Sequence, residues 1–318
     1  NAAESTFGGG TLCTAGAACS DAFVSKLQAN GSALIYSTYL GGTGLEEGKG
    51  VAVDTAGNLY ATGIITSSAN FSLKNAYDST YNGVSDAFVT ELNPLASSGS
   101  ASLLYSTYVG GAAADLGNSI AVDSTGKIYV TGETDSSGTN HFPTVNPRQS
   151  SNAGGTDAFL TKIDPSKTTT ATVVYSTYLG GSNTDKAKGV KVDATGNAYV
   201  VGYTSSNAFP TITPLQAMRA GSADVFLAKF NPATGGTGSL LYSTYLGGTE
   251  DDMGAGIALG SGGNVYLTGY TRSAAYPTVA PFQATLGGGT CSAHPCFDMF
   301  LTQIDLSSNT VVFSTYLG

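Results

Sequence analysis

Tyr36-Ser37-Thr38-Tyr39-Leu40-Gly41-Gly42 is the most informative segment of the chain, because it recurs almost unchanged. It returns from Tyr105, from Tyr175 and from Tyr242, and a shorter version begins at Phe313. Neighbouring copies lie about 70 residues apart, and a long, nearly fixed period indicates a repeat architecture. The chain is therefore built from one module repeated several times.

Two other phrases accompany this segment in each period. Residues 51–53 are apolar and mostly β-branched, and they lead into Asp-x-x-Gly-Asn from Asp54, a hairpin signal, with residues 59–63 as the returning strand. Residues 86–92 alternate apolar with polar side chains, as a half-buried strand does. With residues 103–108 as the last strand, each module is predicted to contain four strands, which we name A, B, C and D.

Four antiparallel strands per module at a long period are typical of a β-propeller blade. A β-solenoid has shorter coils, and a string of sandwiches would need more than one module per domain. We therefore predict an all-β fold, a β-propeller of four-stranded antiparallel blades with about five blade positions. The prediction is one domain over 1–318, with a half module at 1–47 and modules at approximately 48–116, 117–186, 187–252 and 253–318.

The half module contains strands C and D without A and B, so the strands do not sum to a whole number of blades. Three explanations stay open. The natural chain continues beyond Gly318, or the ring closes with a defective blade, or another subunit satisfies the free strand edges. The third explanation predicts self-association into a homo-oligomer or polymer, because heterologous contacts propagate into rings or filaments.

The composition limits the partners. The chain has 318 residues, a net charge of −9, only 11% charged residues and no cluster of Lys or Arg, which argues against nucleic acid. No apolar run is long enough to span a bilayer, so no membrane insertion is expected. With 41% hydrophobic residues, the chain can bury a large core.

The four cysteines form two close pairs in Gly-rich loops, Cys13 with Cys19 and Cys291 with Cys296. Two local disulfides are the preferred interpretation. A zinc site is the alternative, but it would need Cys-x2–4-Cys spacing and the two pairs, or His partners, brought together. Disulfides imply an oxidising compartment and therefore a secreted or cell-surface protein.

Asp54, Asp123 and Asp193 end strand A and are expected to cap their own turns by accepting backbone N–H bonds. A ring of carboxylates for calcium or for acid–base catalysis is the alternative, but catalysis needs one asymmetric site rather than several copies. Glu46-Glu47 and Glu250-Asp251-Asp252, in the D–A connections, are expected to lie in solvated loops, with a cation site as the alternative. The aspartates that open strand C receive the same structural interpretation as the turn residues: Asp21, Asp86, Asp157, Asp224 and Asp298.

The two histidines, His141 and His294, stand in different modules without a repeated acidic neighbour, so no catalytic triad is recognisable. The repeated tyrosines are expected to fill the space between blades, although exposed tyrosines could instead stack on sugars. These predicted core aromatics are Tyr36, Tyr39, Tyr105, Tyr108, Tyr175, Tyr178, Tyr242 and Tyr245.

The motifs resemble the bacterial β-propeller repeat, or SBBP repeat, family. The resemblance rests on Tyr-Ser-Thr-Tyr-Leu-Gly-Gly, on Val-Asp-x-x-Gly-Asn-x-Tyr-x-x-Gly, and on Phe142-Pro143-Thr144 before Asp-Ala-Phe. Residues 71–73, Phe-Ser-Leu, depart from it, as does Gly260 where other modules carry Asp. The resemblance implies a secreted or cell-surface bacterial protein and implies no catalytic residues.

The preferred functional hypothesis is a non-enzymatic extracellular scaffold, a structural or self-associating subunit of a cell-surface assembly or filament, without a cofactor or catalytic metal. A carbohydrate-binding propeller is the alternative. A propeller hydrolase or lyase is the least supported, because the sequence contains no concentrated set of His, Glu, Arg or Tyr that such chemistry needs.

Overall fold

The structure is a computed structural model and describes residues 2–8, 19–67, 70–291 and 294–318. By their contacts the residues divide into two compact units, Asn1–Val145 with Thr161–Ser176, and Asn146–Leu160 with Thr177–Gly318. Among the described residues, no helix has the length and apolar character needed to cross a membrane. The division into modules within a single domain stays a prediction.

The described residues form twenty strands and a few single-turn helices. The helices are α1 (Gly99–Ser102) and 3-10 turns at Gly138–Asn140, Thr169–Ala171, Gly236–Ser239 and Ser261–Gly263. The strands are β1 (Ala22–Leu27), β2 (Leu34–Leu40), β3 (Glu46–Val53), β4 (Leu59–Ile65), β5 (Asp86–Leu92), β6 (Leu103–Val109), β7 (Asp115–Val122), β8 (Ile128–Thr134), β9 (Asp157–Ile163), β10 (Val173–Leu179), β11 (Asp185–Val192), β12 (Ala198–Thr204), β13 (Asp224–Phe230), β14 (Leu240–Leu246), β15 (Asp252–Leu259), β16 (Asn264–Thr271), β17 (Thr290–Cys291), β18 (His294–Pro295), β19 (Asp298–Asp305) and β20 (Thr310–Leu317).

The strands assemble in chain order into four four-stranded sheets. The orders are β3-β4-β5-β6, β7-β8-β9-β10, β11-β12-β13-β14 and β15-β16-β19-β20, each of them A-B-C-D. Strands β1 and β2 form a two-stranded sheet from C and D alone, and β17 pairs with β18 in a short ribbon. The prediction of an all-β chain with four-stranded antiparallel propeller blades is confirmed.

Three of the four A–B hairpins share one local geometry, and the fourth, between β15 and β16, has a 3-10 turn at Ser261–Gly263 instead. The amide of Gly57 donates to the carbonyl of Asp54 at 3.1 Å, and Gly57 has a φ of +87°, a conformation that favours glycine. Strand A also contains a β-bulge in each four-stranded sheet, for example between Gly48 and Gly50 in β3. Bulges increase the local twist of a strand, which suits a strongly twisted blade.

Glycines of strand A let neighbouring sheets approach closely. In the first unit, a Cβ on Gly117 of β7 would lie 2.2 Å from Oγ1 of Thr62 in β4. In the second unit, a Cβ on Gly254 of β15 would lie 2.7 Å from the carbonyl oxygen of Gly202 in β12. A buried apolar cluster joins the two-stranded sheet to the first complete sheet in one unit, and another joins the third sheet to the fourth in the other unit.

Candidate functional site

The turn aspartates accept hydrogen bonds from their own hairpins. Oδ1 of Asp193 accepts from the amide of Asn197 at 3.0 Å, and Oδ2 accepts from the hydroxyl of Tyr199 at 3.1 Å. Burial raises the pKa of this carboxyl, but the hydrogen bonds outweigh burial and lower the pKa to about 2. Asp54 and Asp123 make the equivalent bonds within their own turns. These contacts give the three aspartates a role in turn structure.

Seven of the eight repeated tyrosines are buried. The rings of Tyr108 and Tyr245 pack against the aromatic residue of the B–C loop, with centroids 5.7 Å from Phe71 and 6.0 Å from Phe209. Some of their hydroxyls are also hydrogen-bonded, and Tyr245 donates to the carbonyl of Ser206 at 2.8 Å. The buried tyrosines are Tyr36, Tyr105, Tyr108, Tyr175, Tyr178, Tyr242 and Tyr245.

Tyr39 is the exception, and its assignment to the core is corrected. Its side chain is 38% exposed, whereas Tyr108 at the same position of the next module is 1% exposed. Among the described residues, no strand B lies beside β1 and no counterpart of Phe71 covers the ring. The Tyr39 ring instead meets the edge of Phe7, with centroids 6.1 Å apart.

The two-stranded sheet, and strand β3 of the complete sheet that follows it, expose apolar side chains that later modules bury. Phe23 of β1 is 70% exposed, whereas Phe88 at the equivalent position is 0% exposed. Val51 of β3 is 65% exposed, whereas its equivalent Ile120 is 4% exposed. A cleft of about 240 Å³ lies here, and its lining includes Phe23, Val51, Ala61 and Phe88. This cleft is the main candidate for an interaction surface.

Buried acidic residues open strand A, and this corrects the expectation for the D–A connections. Glu46 and Asp252 were expected in solvated loops, but they are 1% and 0% exposed. Each accepts the amide of the second glycine of a Gly-Gly pair, at 3.0 Å from Gly42 and at 2.7 Å from Gly248. The sequence signal that could have found them is an acidic residue four positions after each Gly-Gly pair.

Burial perturbs these carboxyl groups and those that open strand C. It raises the pKa of Glu46 to about 7 and that of Asp252 to about 6, because the charged forms lose water. Burial, together with the charge of Asp115, raises the pKa of Asp86 to about 7. Asp157 behaves in the same way beside Asp185. The strand-opening acids therefore form a repeated class of buried carboxyl groups.

Cys291 and Cys296 form a disulfide with an S–S distance of 2.02 Å at the β17–β18 ribbon. Cys19 is also disulfide-bonded, and the predicted pairing with Cys13 lies outside the described residues. No free cysteine occurs in the part of the chain that the structure describes. The same part contains no group of three or more His, Cys, Asp or Glu side chains placed to hold a metal ion.

The two histidines lie at separate places. His294 is exposed, with Nδ1 3.8 Å from Oε2 of Glu250. His141 lines an open cleft of about 380 Å³ together with Tyr77, Asp78 and Asn82. The Asn82 amide donates to Oδ2 of Asp78 at 3.1 Å. This second cleft offers aromatic and amide groups of the kind that contact sugars.

No curated protein matches the chain. Among solved structures, a protein of unknown function from Bacteroides caccae is 12% identical, with 93% of this chain and 90% of that chain covered and a TM-score of 0.34. A mannose phosphorylase from Leishmania mexicana, MPT-4 in complex with phosphate ion, is 12% identical, with 86% and 69% covered and a TM-score of 0.39. Both TM-scores are below 0.5, so neither similarity bears on function.

The β-propeller repeat, SBBP, matches the sequence four times, at residues 35–71, 104–138, 174–210 and 241–277. Each match begins in strand D of one module, continues through strands A and B of the next, and ends in the B–C connection or close to it. The matched segments therefore contain the Gly-Gly pair, the buried acid of strand A and the A–B hairpin described above. The chain belongs to the β-propeller repeat family.

Proposed function

We propose that the protein is a non-enzymatic extracellular scaffold that acts by contact, and that it associates through its two-stranded sheet with a second copy of the chain. The observation that carries the proposal is the exposure of Phe23, 70%, at a repeat position where Phe88 is fully buried. A large aromatic side chain left in water at a core position marks a surface that a partner covers.

The edge of β1 is the first part of this surface. In a complete sheet, strand C pairs with strand B on one side and with strand D on the other. Within the part of the chain that the structure describes, strand β1 pairs only with β2, so one row of its backbone N–H and C=O groups faces no described strand. A free edge of this kind accepts an added strand by main-chain hydrogen bonds, with side-chain pockets giving selectivity.

The cleft beside β1 identifies the shape of the occupant. Phe23 and Val51 are the residues that would contact an A–B hairpin if the half module had one, as Phe88 contacts Gly63 of strand B in the next module. All four A–B hairpins of the chain already lie in complete sheets, so the occupant from another copy is the exposed face of its last sheet, where Tyr270 and Met299 are 49% and 52% exposed. Such contact is heterologous and adds copies one after another, which suits a surface assembly or filament.

The non-enzymatic part of the proposal is supported by repetition. Asp54, Asp123 and Asp193 make the same hydrogen bonds in successive modules, whereas catalysis needs one asymmetric arrangement of groups. The extracellular part is supported by the Cys291–Cys296 disulfide, since disulfides persist in oxidising compartments.

Sedimentation velocity across a wide concentration range tests the association. We expect the average mass of the wild-type protein to rise with concentration, and Phe23→Asp to stay monomeric because it places a charge in the cleft. Phe282→Asp is the matched control, since Phe282 is 87% exposed and lies far along the chain. A peptide of residues 115–134, an A–B hairpin sequence, should compete with association.

A wild-type protein that stays monomeric at the highest concentration would refute self-association. Equal loss of association in Phe23→Asp and Phe282→Asp would refute the assignment of the surface.

Carbohydrate binding is the second candidate, and the cleft that contains Tyr77, Asp78, Asn82 and His141 favours it. Bacterial polysaccharides and a glycan array are suitable probes. Binding that Tyr77→Ala abolishes and Phe23→Asp leaves unchanged would favour this candidate over the contact scaffold.

A further inference from the structure

One position of the B–C loop carries glutamine in the three later modules. Gln149, Gln216 and Gln283 occupy it, and the backbone amide of each donates to the threonine hydroxyl of strand D, at 2.9 Å, 2.9 Å and 2.8 Å. Asp78 occupies the same position in the first complete module, since its backbone amide donates to Oγ1 of Thr107 at 3.0 Å. Asp78 therefore stands where the later modules have glutamine.

Two side-chain hydrogen bonds recur at the three glutamines. Oε1 accepts the amide of the first glycine of the Gly-Gly pair, at 3.0 Å from Gly180 and at 3.0 Å from Gly247. Nε2 donates to the aspartate that opens strand C, at 2.7 Å in both Asp157 and Asp224. The repeat therefore builds a small site that an amide group fills, with a backbone N–H as donor and a carboxylate as acceptor.

The side chain of Asp78 does not supply this amide group. It is one methylene shorter than glutamine and carries no N–H, and its oxygens accept instead the amide of Thr80 at 2.8 Å and the side-chain amide of Asn82 at 3.1 Å. Even the half module keeps the glycine contact, because Oε2 of Glu4 accepts the amide of Gly41 at 3.2 Å. Among the described residues, Asp78 is therefore the one short side chain at this position.

The glycine of the first complete module that corresponds to Gly180 is Gly110, and it lies in the wall of the cleft of about 380 Å³ described above. Asp78, Tyr77 and Asn82 line the same cleft. Its volume falls within the range of small-molecule sites, about 300–1,000 Å³. The cleft thus brings a backbone donor, a carboxylate acceptor and an aromatic ring to one space, at the place where later modules have a glutamine side chain.

We propose that this cleft binds a sugar that carries an acetamido group, of the N-acetylglucosamine type, an inference that rests on the second candidate function, carbohydrate binding. The acetamido carbonyl accepts the amide of Gly110, as Oε1 of Gln149 accepts that of Gly180. The acetamido N–H donates to the carboxylate of Asp78, and the ring of Tyr77 contacts the apolar face of the sugar. The ligand therefore replaces the amide that the later modules supply themselves.

Charge and shape favour a neutral sugar. Asp78 contributes a carboxylate, and no Lys or Arg is among the described residues that line the cleft. Sulfated or carboxylated sugars would bring a second negative charge without a partner. The Tyr77 ring and the Asn82 side chain suit a pyranose face and its hydroxyl groups, which favours a sugar over the amide of a peptide.

Isothermal titration calorimetry with three tetrasaccharides tests the proposal. They differ only in the group on the second carbon of each sugar: chitotetraose carries acetamido groups, its deacetylated form carries amines, and cellotetraose carries hydroxyls. We expect chitotetraose to bind about tenfold more tightly than either of the others, because two hydrogen bonds depend on the acetamido group.

Asp78→Gln places the protein's own amide in the site. It should weaken chitotetraose binding about tenfold without lowering the Tm, because glutamine fits this position in the other modules. Asp135→Gln is the matched control and should bind as the wild type does, since it removes the same charge from an exposed aspartate that does not line the cleft. Phe23→Asp should also bind as the wild type does, which separates this cleft from the association surface.

The backbone amide of Gly110 provides a readout within the site. Chitotetraose should shift the NMR resonance of this amide. It should leave the resonances of Gly180 and Gly247 in place, because their amides already donate to glutamine.

Equal binding of chitotetraose and cellotetraose would overturn the acetamido assignment and leave carbohydrate binding standing. Tighter binding of the deacetylated form would mean that Asp78 binds a cationic amine, which also overturns it. Absence of binding by all three would overturn both this inference and the carbohydrate candidate. Full binding by a folded Asp78→Gln, or binding that leaves the Gly110 resonance unshifted, would show that the ligand lies elsewhere and would overturn the proposal.

Discussion

Replacing Phe88 by alanine should destabilise the protein far more than the same replacement of Phe23, although both occupy one repeat position. Phe88 is 0% exposed, and its ring lies 5.4 Å from that of Phe71. Truncating a fully buried phenylalanine costs about 3–5 kcal/mol, which combines lost burial with a cavity. Phe23 is already 70% exposed and has little burial to lose, so we expect a loss below about 1 kcal/mol.

Urea unfolding followed by tyrosine fluorescence and circular dichroism measures both losses. The chain has 18 tyrosines and no tryptophan, so tyrosine emission reports on the core without interference. The two variants should be compared at low protein concentration, because the free energy of unfolding then refers to the isolated chain. The midpoint should shift strongly for Phe88→Ala at an unchanged m-value.

Equal destabilisation by the two replacements would refute the reasoning, since it would mean that β1 is packed as completely as β5. A second outcome is expected at high protein concentration. If self-association covers Phe23, the loss of unfolding free energy in Phe23→Ala should grow with protein concentration, while the loss in Phe88→Ala should not.

Three further predictions concern charge, cross-linking and the hairpin turns. Because the pKa of Asp252 is raised to about 6, its protonated form stabilises the fold at low pH, and this stability disappears as pH rises from about 4 to about 6. Relative to Asp252→Asn, the wild type should lose about 3 kcal/mol over that range in urea titrations, and parallel profiles would contradict this. Replacing both Cys291 and Cys296 by alanine should cost at most about 2 kcal/mol, because the closed loop is short, and a larger fall in unfolding free energy would contradict this. Tyr199→Phe should cost about 1 kcal/mol and raise the pKa of Asp193 from about 2 in an NMR titration, whereas an unchanged pKa would show that the hydroxyl is unimportant.

The strand order was predictable from the sequence because its signals are local. The Asp-x-x-Gly-Asn turn at Asp54 and the apolar residues that flank it specify a hairpin without knowledge of the neighbours, whereas residues 86–92, expected to be half-buried, are buried at every position of β5. The position of each sheet in the repeat then follows from the period, which the four SBBP matches confirm as that of a propeller repeat.

The burial of individual side chains was less predictable, because it depends on strands that are distant in sequence. Tyr39 has the same local sequence as Tyr108, but among the described residues no strand B lies in its sheet and no counterpart of Phe71 covers its ring, so the motif alone misplaces it. Glu46 and Asp252 look like solvated loop residues by composition. Their burial follows from the backbone amides of Gly42 and Gly248, which turn inward and attract a carboxylate.

Because glycines bring strand A close to the preceding sheet, the number of modules in such a protein can change. Within each unit the same pattern of contact joins one blade to the next, as Gly117 against Thr62 and Gly254 against Gly202 illustrate. Duplicating one whole module would therefore create a junction that the flanking blades already fit, with no new complementary surface required. Deleting half a module would instead leave an A–B or a C–D pair without its partner strands. We therefore expect the chain to accept growth in steps of four strands.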